Sequence, residues 1–147
     1  VGASGWDYYT DYQPDLNAAL NALRDRVFAE GDYWWAVPGE FGKSAADFPD
    51  RPRTTDELWN EEAVRECGTH SILDVDRVVD GAHGRTGTIV PVTAEEALAT
   101  TGTEKPTRAH TGKLDKLVGP RWSGRVAVLH DDNGTPSELY FFGISGD

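Results

Sequence analysis

The chain has 147 residues, 25 acidic against 14 basic side chains, a formal net charge of −11 and 38% apolar residues. A chain of this length can bury a core without covalent staples and is most simply one domain, 1–147. Its longest unbroken apolar runs are four or five residues, which excludes a membrane span and a signal-peptide core.

Cys67 stands alone, so neither an internal disulfide nor a cysteine-based zinc site can form, and a reducing compartment, the cytoplasm, is favoured. The chain opens on Val1 and contains no methionine, which fits a non-ATG start read literally or a trimmed end. Charge is uneven: residues 1–80 hold 17 acids against 7 bases, whereas residues 105–125 hold six bases against Asp115 alone. An acidic front with one basic segment suits a basic protein partner and lacks the broad positive face that duplex nucleic acid requires.

In chain order, a Gly-rich start leads into Trp6, Tyr8, Tyr9 and Tyr12 interleaved with Asp7 and Asp11. This is read as an aromatic arm, packed on the core or offered as a contact surface. Residues 14–29 then predict a helix. Pro14 and Asp15 suit its first turn, Leu16, Ala19, Leu20, Leu23 and Val27 make one apolar stripe, and Gly31 stops it. Residues 32–37 read as a strand whose adjacent Trp34 and Trp35 point to opposite faces. Residues 38–54, with Gly39, Gly42, Pro49, Pro52, Phe41 and Phe48, form a long irregular loop, the first candidate for a lid or binding loop.

Thr54 and Glu57 have capping-box spacing and open a second helix. Leu58, Trp59, Ala63, Val64 and Cys67 form its buried side, Glu57, Glu61, Glu62 and Glu66 fill the other faces, and Gly68 ends it. Residues 69–76 read as a turn into a strand, with Ile72, Asp74 and Asp76 on one side and His70 sharing their parity. Residues 88–92 are a short strand with Pro91 suited to an edge, and Thr93 with Glu96 opens a short helix ending near Gly102. Residues 113–118 form a short basic helix or turn. The C-terminal stretch is the clearest: residues 126–129 and 139–144 are apolar arms about an Asp-Asn-Gly turn, a β-hairpin. The expected fold is α+β: a mostly antiparallel sheet of four to five strands, packed mainly on one face by two main helices and one short one.

Chemistry-bearing motifs are few. Neither a dinucleotide fingerprint nor a phosphate loop is present, since Gly42-Lys43-Ser44 has Val37 where that loop needs glycine, and a nucleophile elbow is missing. One imidazole and two carboxylates, His70, Asp74 and Asp76, make the best acid–base constellation, although the bland reading of a strand start with solvated carboxylates is favoured. Arg108, Lys113, Lys116 and Arg121 could grip an anion, or pair with acids of the same chain, which needs no ligand. No cofactor and no metal is expected.

In size, acidity, lone cysteine and aromatic-rich front, the chain resembles the small cytoplasmic proteins that neutralise a secreted toxin, a resemblance of composition that carries no residues over. The leading expectation is therefore a non-enzymatic acidic binding module, toxin-neutralising (immunity-like) or regulatory. Its partner surface would comprise Tyr8, Tyr9, Tyr33, Trp34, Trp35, Phe41, Glu57, Glu61 and Glu62. The alternative is a small hydrolase or transferase using His70, Asp74 and Asp76 beneath the 38–54 loop.

Overall fold

The computed structural model describes residues 4–35 and 43–146. One five-stranded sheet carries the architecture, in the order β1-β5-β4-β3-β2. Its strands are β1 (Gly5–Asp11), β2 (Arg77–Val78), β3 (Thr88–Pro91), β4 (Ser123–His130) and β5 (Pro136–Ile144). The hairpin forms as its composition predicts: β4 and β5 pair antiparallel, and β1 pairs antiparallel on the far side of β5. Asp131 holds the turn, its Oδ1 accepting from the Asn133 and Thr135 amides, and only Gly134 there takes positive φ (76°). β3 runs parallel to both β4 and β2, so the sheet is mixed rather than mostly antiparallel. Pro91 lies inside it, on a strand that ends there.

Five α-helices occur among the described residues: α1 (Leu16–Glu30), α2 (Thr55–Trp59), α3 (Glu62–Cys67), α4 (Ala94–Thr101) and α5 (Thr111–Leu114). α1 is longest. Its true N-cap is Asp15, which accepts from the Ala18 amide at 3.0 Å, and Gly31 closes it in the left-handed region. The expected second helix is broken in two, because Glu61 takes extended backbone between α2 and α3. α4 forms with its Thr93–Glu96 capping box.

Two apolar clusters sandwich the sheet, correcting the one-sided expectation. Leu20, Leu23 and Val27 of α1, with Leu58, Val64 and Ile72, cover the face bearing Trp6, Phe141, Val126 and Ile89. Leu114 of α5 covers the other face, which bears Ala127, Leu129, Tyr140 and Phe142. On the first face the Trp6 indole lies flat over Gly124 and Gly143, where any Cβ would enter its ring. Residues 32–35 form no strand. Instead the Trp34 amide donates to the Thr69 carbonyl at 2.8 Å, and Tyr33 is buried with its ring stacked on Phe28 at 5.6 Å.

Candidate functional site

The most constrained backbone lies just after α3. Gly68 has φ 80°, and a Cβ there would sit 2.5 Å from Ser145 Oγ and 2.7 Å from Asp74 Oδ2, so both backbone and space call for glycine; His70 has φ 56° despite its side chain. The two left-handed residues wrap the chain around the buried Asp74 carboxylate. Asp74 accepts from the Thr69 amide at 2.6 Å, from Thr69 Oγ1 at 2.8 Å and from Ser145 Oγ at 2.7 Å. The Thr69 proton being spent on Asp74, Ser71 Oγ donates to Thr69 Oγ1 and itself accepts the Leu73 amide, which turns residues Ile72–Asp74 into a 3-10 turn. Burial pushes the Asp74 carboxyl above the usual aspartate range, and its three donors only partly offset this.

That turn overturns the strand expected over 69–76 and with it the shared side of the three acid–base candidates. Asp74 is buried. Asp76 is exposed, 3.7 Å from Arg77. The His70 ring lies against Trp34, with centroids 5.0 Å apart and planes within 12°. Asp74 and Asp76 do meet at one place, a cleft of about 630 Å³ whose walls include Arg24, Asp56, Trp59, Arg65 and Trp122.

The cleft sits where the two parallel strand pairs begin. Trp59 ends α2, and its indole meets Trp122, centroids 6.2 Å apart, at the entry to β4. Both rings are half-buried. Trp122 takes φ 66°, rare for a bulky residue; its carbonyl accepts the Gly87 amide, its amide donates to the Ile144 carbonyl, and Gly146 packs so closely on its ring that a Cβ would have no room. Arg24 reaches from α1, its Nη1 donating to the carbonyls of Ile72, Leu73 and Val75. Burial lowers its pKa, countered by Asp76, Asp25 and Asp74. Arg65 Nη1 donates to the Trp59 carbonyl at 2.9 Å. Both arginines are thus engaged with main chain, while Asp56 and Asp76 stay exposed at the rim.

The sequence-derived partner surface is dispersed. Tyr8 and Tyr9 lie on opposite faces of β1. The Tyr8 hydroxyl, facing the Ile72 amide, has its pKa pushed up to about 12 by burial. Tyr9 packs on Tyr140 under the Arg108 guanidinium, 3.9 Å above its ring. Tyr33 is buried, Trp34 and Trp35 are half-buried, and Trp35 meets Phe48 edge-on at 5.9 Å. Phe41 lies outside the described residues. Glu57, Glu61 and Glu62 are exposed along α2 and α3, joined by Asp56 and Glu66. Of the candidate anion grip, Arg108 is committed to a two-pronged pair with Glu138 (3.1 and 2.8 Å), while Lys113, Lys116 and Arg121 are exposed. The described part of the 38–54 loop folds back on α1, where the Ala46 amide bonds the Gly31 carbonyl and Arg51 bonds the Ala29 carbonyl.

Sequence reasoning missed Arg24, Asp56 and Trp122, and read Trp59 as core. Trp59 is the last residue of α2, two positions before the Glu61-Glu62 pair that opens α3. Among the described residues, no three His, Cys, Asp or Glu side chains gather as a metal-holding group, and no helix is long and apolar enough to cross a membrane. Comparison with family models, with curated proteins and with solved structures returned no match.

Proposed function

We propose that the chain is a non-enzymatic, cytoplasmic binding protein, toxin-neutralising or regulatory, that engages a basic protein partner through the α2–α3 acids and the adjoining Trp59–Trp122 cleft. The observation that carries this reading is the pairing of two half-buried indoles with exposed Asp56 and Asp76 in one concavity whose arginines are already engaged. Indoles supply binding energy when a partner desolvates them, and a cationic side chain over an indole face gains further. The surrounding carboxylates raise the encounter rate.

The test is capture from host lysate and secreted fraction at low and high salt, followed by kinetics on the captured protein. A stoichiometric basic protein, lost at high salt, is the expected result. Reversing Glu57, Glu61 and Glu62 to lysine slows its association, and Trp59→Ala speeds dissociation roughly tenfold or more, as a hot-spot truncation does. A partner whose rates ignore both changes defeats the proposal.

A further inference from the structure

A second surface, separate from the cleft, lies at the β1 edge of the sheet. β1 is seven residues long and pairs on one side only, with β5. The bonds flanking the strand set which residues face β5: the Tyr12 amide donates to the Ser137 carbonyl and the Ser145 amide to the Ser4 carbonyl. Even-numbered residues therefore exchange hydrogen bonds with β5, and the N–H and C=O groups of Gly5, Asp7, Tyr9 and Asp11 point away from the sheet. None of these outward groups has a main-chain partner among the described residues.

Natural sheets protect such an edge with lysine, proline, a bulge or a very short strand. β1 has none of these. Its register with β5 runs unbroken over all seven residues, and its only charges are Asp7 and Asp11, both exposed. These two acids share one sheet face, four residues apart, with the Tyr9 ring anchored between them by Arg108 and by Thr111 Oγ1 at 3.3 Å. A second copy of the chain fits poorly, because every antiparallel register that pairs four or more residues sets an acid directly or diagonally opposite an acid. A strand bearing cations two pleats apart fits well.

We propose that the β1 edge accepts an extended segment of a partner protein by strand addition, antiparallel to β1, with Lys or Arg opposite Asp7 and Asp11. Main-chain hydrogen bonds to Asp7, Tyr9 and Asp11 give the affinity and the two carboxylates select the cationic strand. This surface does not depend on the cleft.

The probe is the blocked peptide Thr-Lys-Val-Thr-Val-Lys-Thr, whose lysines fall opposite Asp7 and Asp11. Binding is followed by NMR through amide hydrogen exchange of the full chain. Exchange of the Asp7, Tyr9 and Asp11 amides is expected to slow on addition of peptide, while Trp6, Tyr8 and Thr10, already bonded to β5, stay unchanged. N-methylation of the lysine amides abolishes the effect, and N-methylation of the valine amides, which face outward, spares it. Replacing both lysines by glutamate abolishes it, and Asp7→Asn with Asp11→Asn weakens it roughly three- to tenfold, the sum of two cross-strand charge pairs. Peptide binding indifferent to N-methylation, or no protection of the three amides, overturns the proposal. So does protection without peptide in a chain that light scattering shows to be dimeric, since a second copy would then own the edge. Reversal of Glu57, Glu61 and Glu62 leaves the peptide effect intact, so failure here and failure of the cleft reading are separate results.

Discussion

At the scale of single residues, Asp74 is the informative position. Its carboxylate is buried beneath a turn that two left-handed residues make possible, and burial outweighs its three hydrogen bonds in setting its pKa above the ordinary aspartate value. Between the unfolded and folded pKa the native state keeps a proton that the unfolded chain has released. Stability from this group is therefore fully present below the unfolded pKa and is lost as pH rises through the folded one. Asn at this position removes that loss and keeps the bonding: its Oδ1 takes the Thr69 amide and hydroxyl, and its Nδ2 faces Ser145 Oγ, which can turn its own proton to the Cys67 carbonyl 3.2 Å away. In urea unfolding from pH 3.5 to 7, the stability of wild type relative to Asp74→Asn should fall with rising pH. A difference that grows with pH would mean that the donors win over burial. His70 acts on this carboxylate in two ways: electrostatically it lowers the Asp74 pKa, the least of the causes, and its backbone takes the left-handed conformation and donates its N–H to Ser145 Oγ at 3.2 Å.

At the scale of elements, what could be read from the chain was what is encoded locally. The hairpin, α1 and α4 each carry their own periodicity and their own caps, and they form where those signals lie. The strand expected over 69–76 failed because Ser71 Oγ captures the Leu73 amide and turns the chain before a ladder can start, an alternative open to any short hydroxyl side chain. The parallel pairings of β3 were out of reach for a different reason. The β3–β4 pairing joins segments far apart in sequence, Ile89 with Gly124, β2 is only two residues long, and nothing in a short apolar run says which neighbour it will find. The cleft was out of reach for the same reason, since Trp59 and Trp122 meet only through the parallel register and the break between α2 and α3. α1 offers a quantitative check on how local signal and packing divide the work. Asp15→Ala removes one cap bond and should cost about 1 kcal/mol. Leu23→Ala empties a site that is 2% exposed between α1 and the sheet and should cost roughly 2–5 kcal/mol. Denaturant midpoints that rank the two substitutions equally would mean that α1 is held by its own caps rather than by the sheet.

At the scale of the whole molecule, the two kinds of charge are used differently. Several cations are engaged by the fold itself: Arg24 on three carbonyls, Arg125, whose side chain is 13% exposed, on Glu96 at 2.6 Å and on the carbonyls of Val90, Leu117 and Pro91, and, at the surface, Arg108 on Glu138. Burial alone would raise the Glu96 pKa, yet Arg125 and the Thr93 amide hold it below the usual range. The acids of α2 and α3 face outward instead, so the net charge of −11 acts as a repulsive field on the folded chain. Salt screens that field, with a Debye length of about 10 Å at 0.1 M. Thermal unfolding at pH 7 should therefore shift to higher temperature as NaCl rises from 10 to about 200 mM. The shift should vanish near pH 4.7, the sequence isoelectric point, where the net charge is gone. A midpoint that falls with salt at pH 7 would mean that attractive pairs outweigh the repulsion. The sign matters for function, because screening weakens encounter with a basic partner while it stabilises the fold. A partner lost at high salt is then lost from a more stable protein, so its release reports on the acidic surface and not on unfolding.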